Sequence, residues 1–215
     1  ILLVTPQYNY FGEIFVTITV SDGEFDVHQS FIITVMPIND PPVIMNITDH
    51  TILEDNELNL ELTAIDPDGD DVSFEASSNE YAELIISGNL LNISPIGNYN
   101  GEINITVSAS DYEFSDSTQF TLNVLPENDA PIFTSEPILE ALQGDLYEYA
   151  ITTFDVDGDE LSVQLSSAPQ WLELTDNVIS GISGNSDIGE HSINVTLSDG
   201  ELVENQIYTL TILDV

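Results

Sequence analysis

Apolar residues recur at every second position along much of the chain. Ile14, Val16, Ile18 and Val20 alternate with Phe15, Thr17 and Thr19; the alternation returns at Ile103, Ile105, Val107 and Ala109, and again at Ile193, Val195 and Leu197. A period of two on β-branched residues reads as strands with one buried and one wet face. A second strand follows each, with an inward phase of Phe31, Ile33 and Val35, then Phe120, Leu122 and Val124, then Tyr208, Leu210 and Ile212. The SDGE and SDYEFSDS segments between them read as turns. No window of a dozen residues carries an apolar stripe at helical spacing. The pattern predicts an all-β fold of roughly seven short strands per unit, paired as a β-sandwich.

The units repeat. Pro6, Gly12, Glu13, Asp22, Phe31, Pro37, Asn39, Asp40 and Pro42 recur 89 positions later as Pro95, Gly101, Glu102, Asp111, Phe120, Pro126, Asn128, Asp129 and Pro131. The same offset carries Asp66, Asp68, Gly69 and Asp70 onto Asp155, Asp157, Gly158 and Asp159, and an offset of 88 carries Gly101, Glu102 and Asp111 onto Gly189, Glu190 and Asp199. The organisation expected is therefore the C-terminal part of one repeat (1–37), a full repeat (38–126) and another (127–215).

Composition narrows the partners. The chain has 39 Asp plus Glu and no Lys or Arg, a formal charge of −39, yet 42% apolar and only 18% charged residues. That proportion supports a buried core, not a solvated acidic coil. Nucleic acid is excluded as a partner, since its binding relies on cationic side chains at phosphates, and so is electrostatic attachment to an anionic membrane. No apolar run approaches the ~18 residues of a membrane span. Ile1 to Val4 are too short and lack the basic flank of a signal peptide, so any export signal is expected elsewhere. With no Cys there is neither a disulfide framework nor a thiolate site. The counter-charge has to come from solution, which points to metal cations.

The carboxylates cluster in DPDGDD (66–71), DVDGDE (155–160), the Glu54–Asp55 pair, the strand-end Asp22, Asp111 and Asp199, and the linkers INDPP and ENDAP. Ca²⁺ takes six to eight oxygens in flexible geometry, and Asp-x-Asp on a turning backbone aims two carboxylates at one point. An EF-hand is a poor match, because its loop needs Gly at the sixth position, whereas Gly69 and Gly158 stand fourth and the twelfth positions are Ser77 and Ser166. Two unit charges 4 Å apart repel by about 4 kcal/mol at an effective dielectric near 20. Several carboxylates gathered without a cation would spread or protonate. The alternative is turn chemistry on a salt-adapted acidic surface, the reading preferred for Asp55, Asp71 and Glu160.

These motifs resemble the cadherin-like tandem repeats of large secreted or surface-anchored adhesins. LEDNELNLELTAIDPDGDD with SPIGNYNGEINITVSASD and VLPENDAP is similar to the bacterial and archaeal tandem cadherin-like type. GDLYEYAITTFDVDGDELSV with APQWLEL and GEHSINVTLSDG resembles the dystroglycan-type, Ig-like repeat. The resemblance implies Ca²⁺ at the joint between repeats. One joint would use Asn39, Asp40, Asp66, Asp68 and Asp111; the next, Glu54, Asn128, Asp129, Asp155, Asp157 and Asp199. Pro37 and Pro126 stand where an acidic linker residue is usual, and the NYNG around Asn98 and Asn100 replaces a second acidic motif, so one or two ions per joint are expected. Gln143 takes the place of Glu54 in the last repeat.

Sequons at Asn46, Asn92, Asn104 and Asn194 are candidate glycosylation sites, with Asn104 and Asn194 on the outward phase of their strands. Trp171 is expected as a core anchor, and His28, His50 and His191 as surface residues. No nucleophile or phosphate loop appears, and a repeated carboxylate cluster argues for ion binding over glycoside hydrolysis. The expected function is non-catalytic: a Ca²⁺-stiffened extracellular or cell-surface repeat segment serving as stalk, adhesin or lattice and filament building block, in contact with neighbouring repeats, like subunits or surface glycan and protein. The alternative is an accessory carbohydrate- or protein-binding module of a secreted enzyme, for which Tyr8, Tyr10, Tyr99 and Tyr112 are the candidate aromatics.

Overall fold

The strictest alternation produces the longest strands. In the computed structural model, which describes residues 1–215, the chain falls into two units, Ile1–Pro126 and Glu127–Val215. The first unit opens with β1 (Gly12–Ser21) and β2 (Asp26–Val35), an antiparallel hairpin. Its turn is closed by Asp22, whose Oδ1 accepts the N–H groups of Glu24 (2.9 Å) and Phe25 (2.8 Å). A sandwich follows, built from β3 (Val43–Ile44), β4 (His50–Leu53), β5 (Leu58–Glu61), β6 (Ala64–Ile65), β7 (Ser73–Ser78), β8 (Ala82–Ser87), β9 (Leu90–Pro95), β10 (Gly101–Ser110) and β11 (Ser115–Leu125). One sheet has the order β4-β11-β10-β7, the other β5-β9-β8, and β3 pairs with β6. The β4–β11 pairing is parallel; β10 is antiparallel to both of its neighbours.

The core sits between the two sheets of that sandwich. Ile103, Ile105, Val107, Ala109, Phe120, Leu122 and Val124 turn inward from β10 and β11 and meet Leu91 and Ile93 of β9. Burying each Ile or Leu contributes about 1.5–3 kcal/mol. The equivalent phase of β1–β2 is not buried: Ile18 is 43%, Val20 67%, Val27 70% and Phe31 39% exposed. The expected inward face of that hairpin is thus an open one, because no second sheet covers it.

The second unit comprises β12 (Ile132–Phe133), β13 (Glu140–Leu142), β14 (Leu146–Ala150), β15 (Thr153–Phe154), β16 (Ser162–Ser167), β17 (Leu172–Thr175), β18 (Val178–Ile182), β19 (Gly189–Ser198) and β20 (Val203–Leu213), with one 3₁₀ turn at Asn185–Asp187. Its sheets are β13-β20-β19-β16 and β14-β18-β17, with a β12–β15 pair, and β13 runs parallel to β20. Tyr147, Tyr149, Ile179, Ile193, Val195 and Leu210 form the core. Trp171 packs against it, edge-on to Tyr147 and His191 with ring centroids 6.5 and 6.3 Å away. Gly181 makes this possible, since a Cβ there would lie 2.0 Å from the Trp171 carbonyl oxygen. Two of the three histidines are not the surface residues expected. His191 is half-buried against Trp171, with Nε2 2.6 Å from the Asp187 carbonyl, and half-buried His50 lies edge-on to Phe120.

Candidate metal centre

Each DGD motif is a turn wound around its first aspartate. Asp66 Oδ1 accepts N–H groups from Asp68 (2.8 Å), Gly69 (3.0 Å) and Asp70 (3.2 Å). Asp155 Oδ1 does the same with Asp157 (2.9 Å), Gly158 (3.0 Å) and Asp159 (3.3 Å). Gly69 and Gly158 hold φ of 86° and 80°, the left-handed conformation the turn needs. One oxygen of each leading aspartate is committed to the turn. The other, Asp66 Oδ2 or Asp155 Oδ2, is buried and has no hydrogen-bond partner. A buried, unpartnered carboxylate oxygen costs several kcal/mol unless a cation or proton meets it.

The linkers reach the same places in both units. In the first, Asn39 donates its amide to Asp111 Oδ2 (2.9 Å), and the Asp40 N–H donates to Asp68 Oδ2 (2.8 Å). In the second, Asn128 donates to Asp199 Oδ2 (2.9 Å), and the Asp129 N–H to Asp157 Oδ2 (2.8 Å). The strand-end aspartates close their own turns with the remaining oxygen. Asp111 Oδ1 accepts from Glu113 (2.8 Å) and Phe114 (2.7 Å), and Asp199 Oδ1 from Glu201 (2.7 Å) and Leu202 (2.6 Å). These bonds hold both carboxyls below the usual carboxylate range: chiefly the Phe114 N–H for Asp111, and the Asn128 amide for Asp199.

Hydrogen bonds therefore link Asn39 to Asp111 and Asp40 to Asp68, beside Asp66, in one unit, and Asn128 to Asp199 and Asp129 to Asp157, beside Asp155, in the other. Glu54 belongs to the first unit, where it is buried and receives the Asn100 amide on Oε2 at 3.4 Å. A carboxylate outside the sequence-derived set joins the second group: oxygens of Asp155, Asp157 and Asp159 lie within 4.8 Å of one another. Its signal was the Asp-x-Asp-x-Asp spacing, which becomes a cluster once the backbone winds around Asp155 Oδ1. The donor set, all carboxylate and amide oxygen on turning backbone, fits a hard cation such as Ca²⁺ and no thiophilic metal.

The sequons and aromatics fall as follows. Asn46 and Asn104 are exposed; Asn92 donates to Glu57 and Asn59; Asn194 is half-buried with its Oδ1 enclosed. Tyr10 and Tyr99 donate their hydroxyls to the carbonyls of Glu13 (3.0 Å) and Glu102 (3.2 Å), bracing equivalent strand starts. Tyr8 and Tyr112 are 90% and 84% exposed.

Residues 39–124 match the Bacterial Ig domain family, and residues 130–213 match the Putative Ig domain family. No curated protein matches the chain. Among solved structures it is similar to an endo-fucoidan hydrolase from glycoside hydrolase family 107, at 23% identity over 98% of this chain with a TM-score of 0.36. It spans 35% of that hydrolase's length. Human protocadherin-24 EC1-2 is similar at 14% identity over 81% of this chain and 99% of that one, with a TM-score of 0.47. An I-band fragment from titin is similar at 14% identity over 94% and 75%, with a TM-score of 0.39.

Proposed function

Taking the chain as a segment of tandem Ig-like repeats, which its two family matches make it, we propose that it is a non-catalytic, calcium-binding extracellular spacer whose ions fix its linkers. The observation that carries this reading is the pair of buried, unpartnered oxygens, Asp66 Oδ2 and Asp155 Oδ2, each in a turn whose neighbouring carboxylates are tied to a linker backbone. Ca²⁺ would be held by Asn39, Asp40, Asp66, Asp68 and Asp111 at one linker, and by Asn128, Asp129, Asp155, Asp157 and Asp199 at the other. The ion supplies positive charge where the chain has none, and the linker then loses its freedom to swing. The role as stalk, adhesin or lattice element follows from a stiff array placed outside the cell.

Extracellular modules of this kind bind Ca²⁺ with dissociation constants of about 10⁻⁴ to 10⁻³ M. At roughly 10 mM free ion, each site adds about 1.4–2.7 kcal/mol to stability. The test is a thermal melt in excess chelator, then with Ca²⁺ restored at constant ionic strength and Mg²⁺ as the comparison. A rise specific to Ca²⁺, lost site by site in Asp66→Asn and Asp155→Asn, is the expected result. Equal stabilisation by Mg²⁺ or plain salt would overturn the assignment in favour of a salt-adapted surface.

A further inference from the structure

The two DGD turns share their hydrogen bonds but not the arrangement of their carboxylates. In the last sandwich Asp155, Asp157 and Asp159 each place a carboxylate oxygen within 4.8 Å of the other two. In the first, Asp66, Asp68 and Asp70 wind the same turn around Asp66 Oδ1 without forming such a group. The leading aspartates differ as well, Asp155 being 8% exposed and Asp66 only half-buried. The three clustered aspartates, and the Asp129 N–H that donates to Asp157 Oδ2, all belong to the unit Glu127–Val215.

Asp155 is what separates this group from a solvated acidic turn. Its Oδ1 is filled by the N–H groups of Asp157, Gly158 and Asp159, and its Oδ2 is buried with no hydrogen-bond partner. An anionic oxygen so placed needs positive charge beside it, and the chain has no Lys or Arg to bring it. Asp157 takes the linker on Oδ2, which leaves its Oδ1 for an ion. Asp157 and Asp159 are exposed, so an ion enters from solvent and keeps water on its open side. Three oxygens up to 4.8 Å apart surround a point no more than about 2.8 Å from each, close to the 2.3–2.6 Å of Ca²⁺–oxygen bonds and well beyond the 2.0–2.1 Å of Mg²⁺.

We propose that Asp159 is a cation ligand, and that Asp155, Asp157 and Asp159 together hold one Ca²⁺ within the last sandwich. This rests on the reading of the DGD turns as hard-cation sites; beyond it, the third carboxylate lets the ion bind without Asn128 or Asp199. The number of charged ligands sets affinity in oxygen-ligated Ca²⁺ sites, and Asp70 adds none to the Asp66 turn. The two turns therefore load differently. In the last sandwich the ion comes first: it fixes Asp157, whose other oxygen then receives the Asp129 N–H and seats the linker.

The test follows the Gly69 and Gly158 amides of the 215-residue protein by NMR as Ca²⁺ is added at constant ionic strength, since each N–H lies on the leading aspartate of its own turn. Asp159→Asn is expected to raise the half-saturation of the Gly158 shift at least ~10-fold and to leave the Gly69 titration unchanged. Its backbone N–H still bonds to Asp155, so the turn itself is kept. Asp70→Asn is expected to change neither amide, and Asn128→Ala to leave the Gly158 titration in place. A Gly158 titration identical in Asp159→Asn and the parent would overturn the proposal, and so would one abolished by Asn128→Ala. If Gly158 is unaffected by Asp159→Asn while Asp66→Asn and Asp155→Asn still lose their Ca²⁺ response, only the added ligand is wrong. If instead Asp66→Asn and Asn128→Ala leave the Ca²⁺-dependent melt untouched while Asp159→Asn removes the Gly158 response, the linkers are not held by ions and the Asp159 site stands alone.

Discussion

Asp111 and Asp199 each divide their two oxygens between two tasks. One oxygen closes the turn between the long strands, and the other anchors the preceding linker through Asn39 or Asn128. Removing the side chain leaves turn N–H groups and a linker amide without a partner at once. Asp111→Ala is therefore expected to cost about 1–3 kcal/mol in urea unfolding, and Asp111→Asn less, since an amide oxygen still caps the turn. The charge has its own signature. Both carboxyls are held below the usual range when folded, so their stabilisation is complete above the unfolded value near 3.9 and is lost as pH falls through the lower folded values. In a melt series in chelator from pH 7 down to 3, the deficit of Asp199→Asn relative to the parent should stay constant to about pH 5 and then shrink, since the parent loses this carboxylate's contribution as it protonates. Residue types and spacings at these sites were legible in the sequence. Two things were not: the burial of Asp66 Oδ2 and Asp155 Oδ2, and the arrival of Asp159, because both depend on how the turn winds.

Among the elements, the long hairpins were legible because their alternation is uninterrupted, and their inward residues are those the period of two selects. The two-residue pairs β3–β6 and β12–β15 carry no periodicity to read, and the parallel pairings of β4 with β11 and β13 with β20 join segments some 70 residues apart. A period of two says which face is apolar without saying whether anything covers it; for β1–β2 that was told instead by the 89-residue offset, which makes 1–37 only the C-terminal part of a repeat. The equivalent pair Phe120 and Phe31 turns that difference into numbers. Phe120→Ala should cost about 3–5 kcal/mol in chemical unfolding, whereas Phe31→Ala should cost less than about 1. Gly181→Ala belongs at this scale too. Its Cβ would meet a backbone oxygen, so β18 must move off Trp171, and a loss of more than about 2 kcal/mol in the second unit's melt is expected.

Across the molecule, 39 carboxylates and no cationic side chain make repulsion the background against which every contact works. In chelator, raising NaCl from about 0.01 M to 1 M shortens the screening length from about 30 Å to 3 Å, and the melting temperature should rise with it. The placement of first and last strands has a different consequence. In both sandwiches an early strand, β4 or β13, lies beside and parallel to the last one, β11 or β20. A pull on the two chain ends, once the short β3–β6 or β12–β15 pair has opened, drags these neighbours past each other in shear. The ladders His50–Leu53 on Leu122–Leu125 and Glu140–Leu142 on Thr211–Leu213 then bear load along their whole length at once. An antiparallel arrangement would peel one bond at a time. Such a repeat resists tension through the geometry of its ladders, a property that single-molecule stretching would read as a tall, narrow force peak for each sandwich.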